Sequence, residues 1–141
     1  MAIPPVEAVR ALAGHRFPGG TYTIAHWENF LLTDCTGAAQ LKDGMAHPVA
    51  LFHMPILGAG TSIAEMFELG QAESGVSIGI ESYDWEFFQP LREEVPYDVQ
   101  GTITSADRIE DKNRTYDRIQ FQFDLRAENG DHVAKIGRAH V

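Results

Sequence analysis

The clearest pattern lies in the second half of the chain. Ile119, Phe121, Phe123 and Leu125 alternate with Gln120, Gln122, Asp124 and Arg126. A period of two makes one apolar and one wet face, as in a half-buried antiparallel strand. Asn129-Gly130 follows, then an apolar-rich run from Val133 to Val141. Asn-Gly accepts the positive φ angles of a tight hairpin turn, so these two strands are expected to pair. Upstream, Tyr97, Val99, Gly101 and Ile103 alternate with Asp98, Gln100, Thr102 and Thr104. Earlier still, Val76, Ile78 and Ile80 alternate with Ser77, Gly79 and Glu81 and lead into the stretch Tyr83 to Phe88. Pro90 and Pro96 bracket a turn. Residues 75–141 therefore predict a four-strand meander whose one longer connection is a polar loop at 107–115.

Residues 1–70 are loop-rich with two helical patches. Ile24, Trp27, Phe30 and Leu31 recur at helical intervals and predict a helix over 24–34. A second helix is predicted from Pro55, since proline suits a first helical turn. Ile56, Gly60, Ile63 and Phe67 fall on one face of it, and Gly70 is its stop. Gly58-Ala59-Gly60 is poor helix material by propensity. Small residues there suit a helix lying close against a sheet, or backbone amides approaching a ligand. Gly19-Gly20 after Pro18 reads as a turn. Helices followed by a run of strands predict one α+β domain over 1–141, a curved antiparallel sheet wrapped around a central helix.

With 141 residues, 44% of them apolar and 22% charged, the composition is that of an ordinary globular domain. The net charge of −9 disfavours nucleic acid as a partner. It leaves room for a phosphorylated ligand held by local cations. Arg92, Arg108, Lys112, Arg114 and Arg118 are candidates, though such side chains are more often plain surface charges. No apolar run reaches the roughly 18 residues that span a bilayer, so no membrane partner is expected. Met1-Ala2-Ile3-Pro4-Pro5 has neither a basic start nor an apolar core, so no signal peptide is expected. Cys35, the single cysteine, excludes an intramolecular disulfide, and cytoplasmic residence is expected.

Several segments resemble those of MaoC-like hydratases and dehydratases. Trp85-Glu86-Phe87-Phe88-Gln89-Pro90-Leu91 is similar to the family's strand ending in an aromatic and a proline. Val95 to Ser105 resembles its next long strand. Ile119 to Val141, ending Gly137-Arg138-Ala139-His140-Val141, resembles its closing strands. Phe52-His53-Met54-Pro55-Ile56-Leu57 stands where the family enters its central helix. The likeness covers roughly residues 20–141. It implies a single hot-dog fold that dimerises edge to edge, with an acyl-CoA or acyl-carrier thioester at the interface. The implied chemistry is enoyl-CoA hydration or 3-hydroxyacyl dehydration; no cofactor is expected.

The family's catalytic members carry Asp-x-Asn-Pro-x-His. The matching stretch here is Asp34-Cys35-Thr36-Gly37-Ala38-Ala39, so Asp34 stands for the aspartate and Ala39 for the histidine. Alanine cannot shuttle a proton. Either a homodimer keeps the chemistry with relocated groups, or the chain is the dyad-lacking half of a heterodimer with a related hot-dog chain. A third reading is an acyl thioesterase using Glu65.

Among relocated groups, His47 and His53 precede the central helix and titrate near neutrality. Gly58 and Gly60 would let backbone amides reach a thioester oxygen. Glu65, beside apolar walls, would suit a general acid or base. Each has a plainer alternative: histidines serving loop backbone, Glu65 and Glu68 on an exposed face, Asp34 at a helix end. Trp85, with Tyr83 and Phe87, either walls an acyl tunnel or is fold core. No metal site is expected, because the six histidines are scattered and no His-x-x-x-His occurs.

Overall fold

A computed structural model describes residues 5–52, 54–62, 65 and 80–140. In chain order the elements are α1 (Val6–Arg10), β1 (Gly20–Thr23), α2 (His26–Cys35), a 3-10 turn (Pro48–Phe52), α3 (Met54–Gly58), β2 (Ile80–Phe87), β3 (Pro96–Glu110), β4 (Thr115–Arg126) and β5 (His132–His140). The five strands form one antiparallel sheet in the order β1-β3-β4-β5-β2. This is the hot-dog arrangement.

Strand register explains the two faces. Val99, Gly101 and Ile103 face Leu125, Phe123 and Phe121, which in turn face Ala134, Ile136 and Arg138. Paired residues share a face, so the alternation read from sequence becomes one continuous apolar surface. Phe123, Val99, Ile103, Leu125 and Ile136 are fully buried on it. Phe17 stacks on Phe123 and Phe121 at ring-centroid distances of 5.9 and 6.1 Å. That stack needs Gly101, where a Cβ would stand 2.6 Å from Phe123 Cε1.

Helix α3 lies on the same face, seated by glycines. A Cβ on Gly58 would meet Val99 Cγ2 at 2.6 Å, and one on Gly20 would meet the Gly58 carbonyl oxygen at 2.6 Å. The helix predicted from Pro55 is interrupted: α3 ends at Gly58, and Gly60 takes a φ of 75°. Glu65 is helical again, its N–H donating to Ser62 Oγ at 3.1 Å as at an N-cap. Ile63, Phe67 and Gly70 lie outside the described residues, as do Val76 and Ile78.

Four other expectations are corrected. The strands do not form a meander, because β2 pairs with β5 at the far side of the sheet, with β5 and β4 between it and β3. Gly20 opens β1, which pairs with β3, instead of closing a turn. The loop expected at 107–115 is shorter, because β3 and β4 stay paired out to Glu110 and Thr115. There Arg108 Nε donates to Asp117 Oδ1 at 2.8 Å, so the polar residues hold strand ends together.

Lastly, α2 is helical as expected, but its apolar stripe points outward. Trp27 is 66% exposed, and Phe30 and Leu31 are exposed as well. Asn29 and Thr33 are buried instead.

Candidate functional site

The inner face of the sheet changes character at its β2 side. Counting by two from Ile136 along β5 places Arg138 and then His140 on the apolar face. Register sets Arg138 between Phe121 of β4 and Tyr83 of β2. Arg138 is only 5% exposed. Its guanidinium carbon lies 4.8 Å from the Tyr83 ring centroid and 6.0 Å from that of Phe52. Tyr83 in turn stacks on Phe52 at 5.3 Å, and its hydroxyl donates to the Phe52 carbonyl at 2.8 Å. The 3-10 turn that leads to residue 53 is thereby fixed above the sheet.

Nε and Nη1 of Arg138, and Nε2 of His140, are buried and find no hydrogen-bond partner among the described residues. Buried polar groups are nearly always paired, so such atoms call for an explanation. Burial holds the Arg138 guanidinium below its ordinary value, yet arginine stays charged at neutral pH. Burial, with the Arg138 charge second, pushes His140 down from 6.5 to about 4. Its ring rests 5.0 Å from that of Phe121.

This histidine makes the fold acid-sensitive. The unfolded chain takes a proton on His140 near pH 6.5, the folded chain only near pH 4. Between those values the unfolded state binds more protons, so stability is full above 6.5 and falls as the pH drops towards 4. After allowance for the ring's partial exposure, about 2 kcal/mol is expected to be lost across that window. Urea melts at its two ends should show that loss for the native chain, and His140→Leu should remove most of it. An unchanged slope in the variant would exclude His140 as the source.

Next to the 3-10 turn, α2 supplies a polar knot. Asn29 Nδ2 donates to the Met45 carbonyl at 3.1 Å and to Glu93 Oε2 at 2.8 Å. Its Oδ1 accepts the His47 backbone N–H at 2.9 Å. His26 Nδ1 stands 2.8 Å from Glu93 Oε1. Asn29 and His26 hold the Glu93 carboxyl below its ordinary range. The knot fixes the loop that carries His47.

The residues expected from sequence are dispersed around this frame. Asp34 is exposed near the end of α2. His47 is half-buried, and its Nδ1 accepts the Val49 N–H at 3.0 Å, so this nitrogen serves the local backbone. Glu65 is exposed and lines a cleft of about 510 Å³ with His15, Arg16, Phe17, Pro18, Gly60 and Thr61. Gly58 is filled by packing against Val99 and Tyr22; Gly60 abuts Pro18. His53 lies outside the described residues. No hydrogen bond or ion pair among the described residues joins Asp34, His47 and Glu65, and no metal-binding cluster occurs among them.

Trp85, 37% exposed, stands between Tyr83 and Phe87 in an edge-to-face ladder, with centroids 5.4 and 6.3 Å apart. Trp85 and Phe87 are thus not core of the lone chain, since β2 is an edge strand with nothing described beyond it, whereas Tyr83 packs against the core. Arg118 pairs with Glu81, and Arg92 donates to the Asp43 carbonyl at 3.1 Å, so these two cations have partners. Arg138 and His140 were missed by sequence reasoning. The signal was present in the period of two running past Ile136.

No protein-family model and no curated protein sequence matches the chain. Solved structures do. The HadBC 3R-hydroxyacyl-ACP dehydratase complex of Mycobacterium tuberculosis superposes with a TM-score of 0.69 at 9% identity, over 92% of this chain and 96% of that one. A hot-dog-like protein of Thermanaerovibrio acidaminovorans gives 0.59 at 11% identity, covering 92% and 81%. A 1,4-dihydroxy-2-naphthoyl-CoA thioesterase of Synechocystis gives 0.55 at 9%, covering 90% and 81%. At such identities the likeness establishes the hot-dog fold. Among the described residues no helix is long and apolar enough to cross a membrane.

Proposed function

We propose that this hot-dog chain binds an acyl thioester, from coenzyme A or an acyl carrier, at an interface it forms through β2 with a second hot-dog chain. There it serves hydratase or dehydratase chemistry as the subunit that shapes the pocket. One observation carries the reading. An edge strand bears two exposed aromatics, Trp85 and Phe87, in a ladder with half-buried Tyr83, directly beside a buried cation that finds no hydrogen-bond partner among the described residues. An exposed edge is a template for pairing with another strand, and an aromatic-lined cleft suits an acyl chain.

Adding water across an enoyl thioester needs a base for the water and an acid for the adjacent carbon. Asp34 is exposed, Ala39 cannot carry a proton, and the His47 Nδ1 is engaged with Val49. A complete dyad would therefore come from the partner. The heteromeric HadBC complex among the structural neighbours supports such a pairing.

The purified chain is expected to leave crotonyl-CoA unchanged, and to support turnover when mixed with a hot-dog chain carrying an intact Asp-x-Asn-Pro-x-His. Full turnover by the chain alone would overturn the partner reading. Glu65 at its cleft favours a second reading, thioester hydrolysis, which release of free thiol from acyl-CoA would reveal. The edge itself is testable. Trp85→Arg should weaken self-association or heteromer formation at least about tenfold in sedimentation velocity; unchanged association would place the interface elsewhere.

A further inference from the structure

We infer that Arg138 and His140 form a buried carboxylate-binding site in the wall of the acyl pocket, so that the chain selects acyl groups bearing a second, anionic end. The ligand class rests on the thioester reading above, whereas the site rests on its own geometry.

The two side chains lie two residues apart on β5, about 7 Å along the strand, and point to one face. That face is otherwise apolar, lined by Ala134, Ile136, Phe121 and Phe123. Both present buried nitrogens without a hydrogen-bond partner among the described residues. No described carboxylate answers them. Asp84, Glu86 and Asp124 fall on the opposite face by alternation, and Glu81 is committed to Arg118. The Tyr83 hydroxyl is spent on the Phe52 carbonyl.

The Tyr83 and Phe52 rings, 4.8 and 6.0 Å from the guanidinium carbon, meet its charge but offer its N–H edge no acceptor. A carboxylate, planar and two-oxygened, matches that edge. A purely hydrocarbon ligand would leave the charge unpaired in an apolar wall. His140 in its neutral form adds one further polar contact beside Phe121.

The test compares matched thioesters by calorimetric titration of the full chain: hexanoyl-CoA against adipoyl-CoA, which differ in the terminal carboxylate. The native chain should bind adipoyl-CoA about tenfold or more tightly than hexanoyl-CoA. Arg138→Met should abolish the preference and Arg138→Lys should keep part of it. Equal binding of the two by the native chain would overturn the inference, as would a preference that survives in Arg138→Met. Should Arg138→Met fail to fold, the native preference and its reduction in Arg138→Lys decide the matter alone. Should neither thioester bind, the thioester reading falls, and free hexanoate becomes the probe. Binding of hexanoate that is lost in Arg138→Met or weakened in Arg138→Lys upholds the site; no binding of hexanoate, or binding unchanged in both variants, overturns it.

Discussion

Phe123→Ala is expected to lower the unfolding free energy by about 3–5 kcal/mol, the largest stability loss from any single substitution considered for this chain. Phe123 is fully buried and packs against both Phe17 and Phe121, with Gly101 beneath it. Gly101 has no side chain to move into the vacated space, and the paired strands β3 and β4 keep the backbones apart. The cavity therefore persists, and the cavity contribution adds to the lost transfer free energy. Urea denaturation followed by far-ultraviolet dichroism measures it, and a loss below about 1 kcal/mol would show that the stack can collapse. The geometry also couples two sites. Gly101→Ala should destabilise the native chain, because its Cβ would stand 2.6 Å from the Phe123 ring. In the Phe123→Ala background the same methyl should cost less, its contact with Phe17 Cδ2 at 2.9 Å remaining, giving a coupling of about 1 kcal/mol or more in a double-mutant cycle.

Asn29→Ala is expected to cost about 2–4 kcal/mol, although no apolar contact of note is lost. The amide joins the Met45 carbonyl, the Glu93 carboxyl and the His47 N–H. Removing it strands the Met45 carbonyl and the His47 N–H and leaves Glu93 only its contact with His26, and a group left unpaired in a buried setting costs more than a typical hydrogen bond contributes. Asn29→Leu, closer in volume, should fare little better, which separates the polar loss from a cavity. The Glu93 carboxyl should also rise towards its ordinary range, since Asn29 is the chief group holding it down. Amide exchange at residues 45–49 reads the same event locally. Unchanged exchange there would mean that the loop is held by something other than Asn29.

The pairing of β4 with β5 was legible because two independent signals agreed: the alternation through Phe121 and Phe123, and the Asn129-Gly130 turn. Strand order was not. A period of two tells which residues share a face, never which strand lies alongside, so β2 and β3 read as neighbours in space when only their sequence order is adjacent. The glycines were visible as weak helix formers. Their reason, the contact of Gly58 with Val99 and of Gly20 with the Gly58 carbonyl, joins segments far apart in the chain. Helix α2 misled for a related cause. Trp27, Phe30 and Leu31 make the amphipathic stripe, but Asn29 and Thr33 find buried partners and take the inward position. Trp85 stood on the expected ladder, while its exposure depends on β2 being an edge, which no local pattern announces. Arg138 and His140 lay within the closing strand, on the inward count, and were passed over because arginine and histidine ordinarily end in solvent.

The convex side of the sheet carries Asp98, Gln100, Gln122, Asp124 and Lys135 across its middle strands, so stacking a second sheet there would dehydrate these polar side chains. Sideways growth remains, and the two rims are unequal: β2 offers eight residues, β1 only four. Two such protomers joined along their long rims would each expose only a stub, a geometry that ends assembly at a closed pair instead of an open-ended ribbon.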